Sequence, residues 1–385
     1  MVPLLVLQTL PKPSAFSPSN ALLTLAREMR HSRFSMTVAV PRRGLLTEAL
    51  EKEGISVACV PGLRTYRRHD ALWRFPMVAL KLSALVRRLS AKLVVSNHAE
   101  LGPFADAAAR LNGLPWICFL RQADRPLHYY EKYRVAKADA VAAVSGAALR
   151  SYQSFLSARD LPLNPMQVIP TGIAMPLPGE ADHRRSSTAG ASPPTVGTVG
   201  LRPVKRPELL LDILARLRRN IPQVRGLLVG GAEQQDLDRL RSRAREVGLD
   251  EAVVFAGQQA SMDRWYREMD VYAHTSRSEA LPKAVLEAMS HALPVVAFDV
   301  GGTGEAVTDG VTGFLCSERD VEAHAAALER LLLDRALSSR MGEAGASRIR
   351  EFFSPATMAG KVTSLFEEVL KSRHHRGWSW RSSKA

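Results

Sequence analysis

Ser276-Arg-Ser-Glu-Ala-Leu-Pro-Lys-Ala-Val-Leu-Glu-Ala-Met-Ser290, followed by Leu293-Pro-Val-Val-Ala-Phe-Asp-Val-Gly-Gly-Thr-Gly-Glu305, is the stretch whose reading decides the fold. Asp270 to His274, just before it, and Val295 to Asp299, inside it, are short runs apolar on both faces, the pattern of strands covered by helices on each side. Pro282 suits the first position of a helix, where an N–H is not needed, so the segment from Pro282 to about Ala292 is predicted as a helix joining the two strands. A strand, a helix and a second strand in close succession is the unit from which doubly wound parallel sheets are built.

The same alternation extends outward in both directions. Val2 to Leu7, Met36 to Val40, Ile55 to Val60, Leu93 to Ser96, Trp116 to Leu120, Ala140 to Val144 and Gln167 to Ile169 read as buried strands, with helical spacing in Asn20 to Met29 and Pro103 to Leu111. After Pro176 the chain turns to Pro, Gly, Ser and charge without periodicity, which marks a linker. The alternation restarts at Thr195 to Val199, Gly226 to Val229 and Val253 to Ala256, with helices at Glu208 to Arg219 and Leu237 to Val247. Two Rossmann-like domains in series follow: residues 1–175, a linker at 176–194, and residues 195–371 closed by a helix from Phe352 to Lys371. Residues 372–385 form a basic tail with Trp378 and Trp380, suited either to a membrane interface or to disorder.

A length of 385 residues accommodates two cores, and 46% hydrophobic with 23% charged residues is a soluble globular composition. Cys59, Cys118 and Cys316 are odd in number, widely separated and without CxxC spacing, which argues against a disulfide framework and a zinc site. No apolar run reaches the roughly 18–20 residues of a membrane span, and Val2 to Leu10 lacks the basic flank of a secretory signal, so the expected location is the cytoplasm. The formal charge of +14 is concentrated early: residues 1–180 hold 23 Lys+Arg against 12 Asp+Glu. Arg64, Arg67, Arg68, Arg74, Lys81, Arg87 and Arg88 surround Trp73, Phe75 and Leu80, a mixture suited to an anionic membrane surface and a peripheral position on the cytoplasmic face of the inner membrane.

The opening stretch also carries chemistry. Glu279 falls in the loop before the helix, and the first amides of that helix, at Leu281, Lys283 and Ala284 around Pro282, lack intrahelical acceptors and make a seat for phosphate oxygens. Glu287 lies more than one turn in, where a carboxylate can accept two hydrogen bonds from a ribose diol. Two glutamates seven residues apart within Ser-Glu-Ala-Leu-Pro, before a strand and Gly-Gly, resemble the signature of retaining glycosyltransferases of the GT-B fold, specifically glycosyltransferase family 4. The resemblance covers most of the chain.

It implies a fold of two Rossmann-like parallel-sheet domains facing across a cleft, the N-terminal one for the acceptor and the C-terminal one for a nucleoside diphosphate sugar. It places Glu279 by the donor sugar and Glu287 on the ribose. Val196-Gly-Thr-Val-Gly-Leu-Arg-Pro-Val-Lys-Arg-Pro-Glu208 resembles the family's first strand and basic loop, with Gly200 letting backbone approach the donor and Lys205, Arg202 and Arg206 as diphosphate cations. Leu201 stands where the family usually has arginine. Phe255-Ala-Gly-Gln258 resembles the base-contacting loop, assigning Gly257 and Gln258 to the donor; Gly301 and Gly302 form either a turn near the sugar or a plain strand-to-helix turn. In the first domain His98 and Arg121 end strands, where open α/β sheets place ligands. Arg121 stands where histidine is common, and an arginine there holds an anion rather than acting as a base.

The expected function is retaining transfer of a hexosyl-type group from a nucleoside diphosphate sugar to a glycan or lipid-linked acceptor in bacterial surface polysaccharide or lipopolysaccharide biosynthesis. Neither a metal nor another cofactor is expected, since no Asp-x-Asp-like cluster stands out. An inactive donor-binding homologue and a basic nucleic-acid-binding protein are the alternatives. The second has no helix-turn-helix, zinc spacing or RNP-like motif behind it, so nucleic acid is not an expected partner.

Overall fold

The computed structural model of the protein describes residues 1–9, 18–66, 73–176 and 193–375. Most of the loop after β1, Arg67 and Arg68, most of the expected linker and both tail tryptophans lie outside the described residues. The chain forms two compact units, one of Met1–Gly172 with the chain from Pro355 onward, the other of Ile173–Ser354.

The first unit is built on seven parallel strands: β1 (Val2–Leu7), β2 (Phe34–Val40), β3 (Ser56–Cys59), β4 (Leu93–Ser96), β5 (Trp116–Leu120), β6 (Ala140–Ala143) and β7 (Met166–Val168), in the order β3-β2-β1-β4-β5-β6-β7. β1 is central, pairing Leu4 with Met36 on one side and Leu93 on the other. Its Leu4, Leu5, Val6 and Leu7 are all buried, which is why the run reads as apolar without alternation. That expectation fails at β3, an edge strand with Ser56 and Cys59 exposed, because it has one neighbour and incomplete cover.

The second unit repeats the plan with β8 (Thr195–Val199), β9 (Arg225–Val229), β10 (Val253–Gly257), β11 (Val271–His274), β12 (Val295–Phe298) and β13 (Gly313–Cys316), in the order β10-β9-β8-β11-β12-β13. β13 was not expected: it is four residues long and opens on a glycine, too little pattern to stand out. The helix Pro207–Leu217 covers the sheet with Leu210, Leu211, Leu214 and Leu217, each nearly inaccessible. In each unit the strand order reverses once, between β1 and β4 and between β8 and β11. At such reversals the connections leave in opposite directions and open a crevice beyond the carboxyl ends of the strands.

The closing helix corrects the expected domain boundary. Arg335–Phe352 is one helix, and the last helix is Pro355–His375, which returns to the first unit. Met358, Val362, Leu365, Phe366 and Val369 form its apolar stripe and join the core around β1 and β2, with Phe366 edge-on to Phe34 at 5.6 Å. A helical stripe shows that a face is buried, not against which sheet, so chain order had assigned it to the second domain.

Replacing Phe366 by Ala is expected to cost the first unit about 3–5 kcal/mol. Urea unfolding followed separately by hydrogen exchange in each unit checks this: the loss should appear in β1 and β2, and the amides of β8 and β11 should keep their protection.

Candidate active site

The loops leaving β8 and β11, the two strands that flank the reversal in the second unit, are stitched together. Gly200 turns the first loop at φ +94°, and the short turn Pro203–Lys205 brings Lys205 back over it. Thr275, which follows β11, donates its hydroxyl to the backbone oxygens of Lys205 at 2.9 Å and Arg206 at 3.0 Å. The Arg277 amide donates to Val204 at 2.9 Å. These bonds set Lys205 Nζ 2.5 Å from Glu279 Oε1, with the two side chains only 16% and 12% exposed. His274, ending β11 in a buried position, places Nε2 3.2 Å from the same oxygen. That is an ion-pair distance without the angle of a hydrogen bond.

Burial works against the charge of Glu279, but His274 and Lys205 outweigh it and hold the carboxyl well below the usual carboxylate range. His274 is itself lowered by burial, only partly opposed by Glu279 and further lowered by Lys205. Of the two neighbours, Lys205 is the one in both ion-pair and hydrogen-bond geometry with Glu279. The geometry offers an anionic oxygen and an ammonium side by side at the crevice.

Gly301 and Gly302 hold Glu279 from behind. The Gly302 amide donates to the Glu279 carbonyl at 2.9 Å, and a Cβ on Gly301, at φ +56°, would stand 2.0 Å from that carbonyl oxygen. The turn packs on the glutamate backbone.

The helix after Glu279 is Lys283–Ser290, one residue later than expected, with Pro282 as its extended N-cap. It ends before Ala292 because that residue takes φ +53°, a left-handed turn that a helix cannot continue through. Pro282 accepts from Val285 and Leu286, which leaves the amides of Lys283 and Ala284 ahead of the first helical donors; Leu281 is half-buried beside them. Glu287 has a partner on each oxygen: Lys283 Nζ on Oε1, and the buried Tyr266 hydroxyl at 3.1 Å on Oε2. Burial, then the charge of Glu287, raises Tyr266 well above an ordinary phenol, so it remains a donor.

The remaining expected donor groups are spread around these loops. Arg206, at φ +48°, pairs Nη2 with Glu318 at 2.7 Å, while its buried Nη1 has no hydrogen-bond partner among the described residues. Arg202 is exposed and contributes its carbonyl to the Lys205 amide at 2.8 Å, so only its backbone is tied to the Lys205 loop. Gly257 ends β10 and accepts from the Gly230 amide at 2.9 Å, with Gln258 against Gly231.

In the first unit the residues past β1, β4 and β5 form a directed chain of hydrogen bonds. Gln8 Nε2 donates to the Thr9 carbonyl at 2.5 Å and to Ser19 Oγ at 3.3 Å, and its Oε1 accepts from Asn97 Nδ2 at 2.6 Å. Asn97 Oδ1 in turn accepts from Arg121 Nη2 at 2.5 Å and Nε at 3.2 Å, and its carbonyl takes Nε at 3.0 Å. Arg121 also lies 5.3 Å over the Phe119 ring. Half-buried His98 sits next to it, held well below its ordinary pKa by burial and by the Arg121 charge, and is neutral at pH 7. Gln8, Asn97, Tyr266, Thr275 and His274 were not singled out from the sequence. A polar residue closing an apolar strand, the signal that found His98, was present at Gln8, Asn97 and His274.

Two Rossmann-ordered sheets in one chain, the second with a lysine–glutamate pair at its reversal, define a protein of the GT-B class. An Anabaena protein, Alr3699/HepE, solved with UDP and glucose, superposes with a TM-score of 0.79 at 23% identity, over 96% of this chain and 100% of that one. Family models match in both units: "Glycosyl transferase 4-like domain" over residues 18–172 and "Glycosyl transferases group 1" over residues 180–348. The chain belongs to this glycosyltransferase family. Relatives include a D-inositol 3-phosphate glycosyltransferase of Nocardia farcinica, 33% identical over 61% of this chain and 54% of that protein. Another is the lipopolysaccharide core mannosyltransferase LpcC of Rhizobium leguminosarum, 26% identical over 66% and 71%. The chain spans about half the length of the D-inositol 3-phosphate glycosyltransferases that it matches.

Gly301→Ala is expected to destabilise the second unit by about 1–3 kcal/mol, since both the backbone angle and the Glu279 carbonyl oppose a Cβ. Gly360→Ala, in a helix with open space, is the control and should be neutral or stabilising. Urea midpoints of the two variants check it.

Proposed function

We propose that the chain transfers a hexosyl-type group, with retention of configuration, from a nucleoside diphosphate sugar to a glycan or lipid-linked acceptor of the bacterial surface. The Lys205–Glu279 pair at the reversal of the second sheet carries this reading. In it, the diphosphate lies along the amides at the start of Lys283–Ser290, with Lys205 and the unpartnered Nη1 of Arg206 as its cations. Leaving-group charge is then neutralised by side chains and a helix terminus that are already in place, so the mechanism needs no metal. The bond from the anomeric carbon to the phosphate oxygen breaks as one to the acceptor oxygen forms on the same face, and the acceptor proton passes to the departing phosphate. Glu279, kept anionic, supports the positive charge that develops on the sugar, and Glu287, beside Tyr266 and Lys283, accepts from the ribose. Support comes also from relatives named for sugar transfer to inositol phosphate and to the lipopolysaccharide core.

A peripheral membrane position belongs to the same proposal. No helix among the described residues is long and apolar enough to cross a membrane. The helix Arg74–Leu89 turns Val78, Leu82, Leu85 and Val86 inward and leaves Met77, Leu80, Lys81, Arg87 and Arg88 exposed, with Trp73 at its start 73% exposed. Two members of the expected cluster face elsewhere: the Arg74 guanidinium is buried, donating to the Gly62 carbonyl at 2.6 and 3.1 Å, and Phe75 packs on Tyr66 and Phe104. The exposed remainder joins apolar side chains to cations, as an anionic lipid surface requires.

Lys205→Ala and Glu279→Ala are each expected to lower turnover about 10²–10³-fold without loss of folding. A panel of nucleoside diphosphate sugars, screened first by thermal stabilisation, identifies the donor. Full activity in either variant, or a product of inverted configuration by NMR, would refute the assignment. For the membrane, Lys81→Glu/Arg88→Glu should weaken sedimentation with anionic vesicles by about tenfold or more. Equal sedimentation of both proteins would remove that part.

A further inference from the structure

Arg121 is a cation without a counter-ion. Its Nε and one Nη2 hydrogen are spent on Asn97, a neutral group, and among the described residues no carboxylate comes within ion-pairing distance. A guanidinium carries five N–H donors, so three remain without an acceptor among the described residues. Its neighbours cannot supply the missing charge: Asn97 and Gln8 are amides, and His98 is neutral at pH 7. Glu100, which follows β4, accepts from Gln122 at 3.2 Å and pairs with the Tyr129 hydroxyl. Burial alone lowers the guanidinium to about 10, with no carboxylate opposing it.

The surroundings are arranged to hold this cation. Asn97 can present its oxygen to Arg121 only because its nitrogen is committed to Gln8, whose own nitrogen is committed to the Thr9 carbonyl. The Asn97 amide is tied to the Leu7 carbonyl at 3.1 Å, which anchors the chain of bonds to β1 itself. A flexible arginine on a surface would find water or a random carboxylate at little cost. Here the fold holds a partly desolvated charge in one orientation past the strand ends, where ligands of doubly wound sheets sit.

We propose that Arg121 is a substrate-binding residue which receives an anionic oxygen group, a carboxylate or a phosphate ester, carried by a sugar. The remaining guanidinium donors offer the fork that two oxygens of such a group accept. The sugar is the substrate class because this inference rests on the glycosyltransferase reading above. It adds that one of the two sugars is acidic.

Binding of glucuronic acid, glucose 6-phosphate and glucose is measured by calorimetry on the full chain carrying Lys205→Ala, so that phosphate at the other cation does not contribute. The acidic sugars should bind about tenfold or more tightly than glucose. Arg121→Gln should abolish that preference while its melting temperature stays close to the parent's, and Arg121→Lys should keep part of it. Preference for glucuronic acid assigns a carboxylate, and for glucose 6-phosphate a phosphate. No preference in the parent, or the same preference in Arg121→Gln, overturns the proposal. UDP titrated into the chain with Lys205 intact tests the nucleotide site separately, so failure there does not obscure the result for Arg121.

Discussion

The second unit is organised around one ion pair that the backbone, more than the side chains, brings together. Lys205 and Glu279 come from loops 74 residues apart in sequence. They meet because β8 and β11 are neighbours at the sheet's reversal and because Thr275 and Arg277 tie one loop to the other. Gly301 and Gly302, after β12, close the arrangement from the far side of the Glu279 backbone. Three successive strand ends therefore converge on a single carboxylate. In a largely dry setting, a pair so held is already oriented, with little freedom left to either side chain.

The first unit uses the same topology for different chemistry. Its three strand ends converge on Arg121 through neutral amides, so the positive charge there is left uncompensated, whereas Lys205 in the second unit is answered by a glutamate. Two copies of one architecture thus present a balanced pair and a lone cation. Fold likeness alone would not distinguish them, since it depends on the order of strands and not on what stands at their ends.

Much of the site was legible because its residues follow local rules. Glu279 before a proline-started helix and the glycines after β12 were found from spacing, and strand-end placement found His98 and Arg121. The misses have equally local causes. Ala292 falls at the end of the expected helix, yet in the turn into β12 it is left-handed. Arg74 was counted as a surface cation, but the helix phase turns it onto the Gly62 carbonyl. Gln8, Asn97 and Tyr266 acquire their roles only from partners 89, 24 and 21 residues away, and no pattern along the chain carries those pairings.

By itself, the sequence determined two parallel-sheet domains and the glutamate-bearing helix start, because strand burial and helix initiation are written in runs of a few adjacent residues. Only the tertiary structure decided that the last helix belongs with the first sheet and that Lys205, His274 and Glu279 share one oxygen. It alone decided, too, that Arg121 has no acidic partner among the described residues. Those outcomes depend on which surfaces meet in space, and hydrophobic burial is non-directional: an apolar stripe or a charged side chain specifies that it needs a partner, not which one.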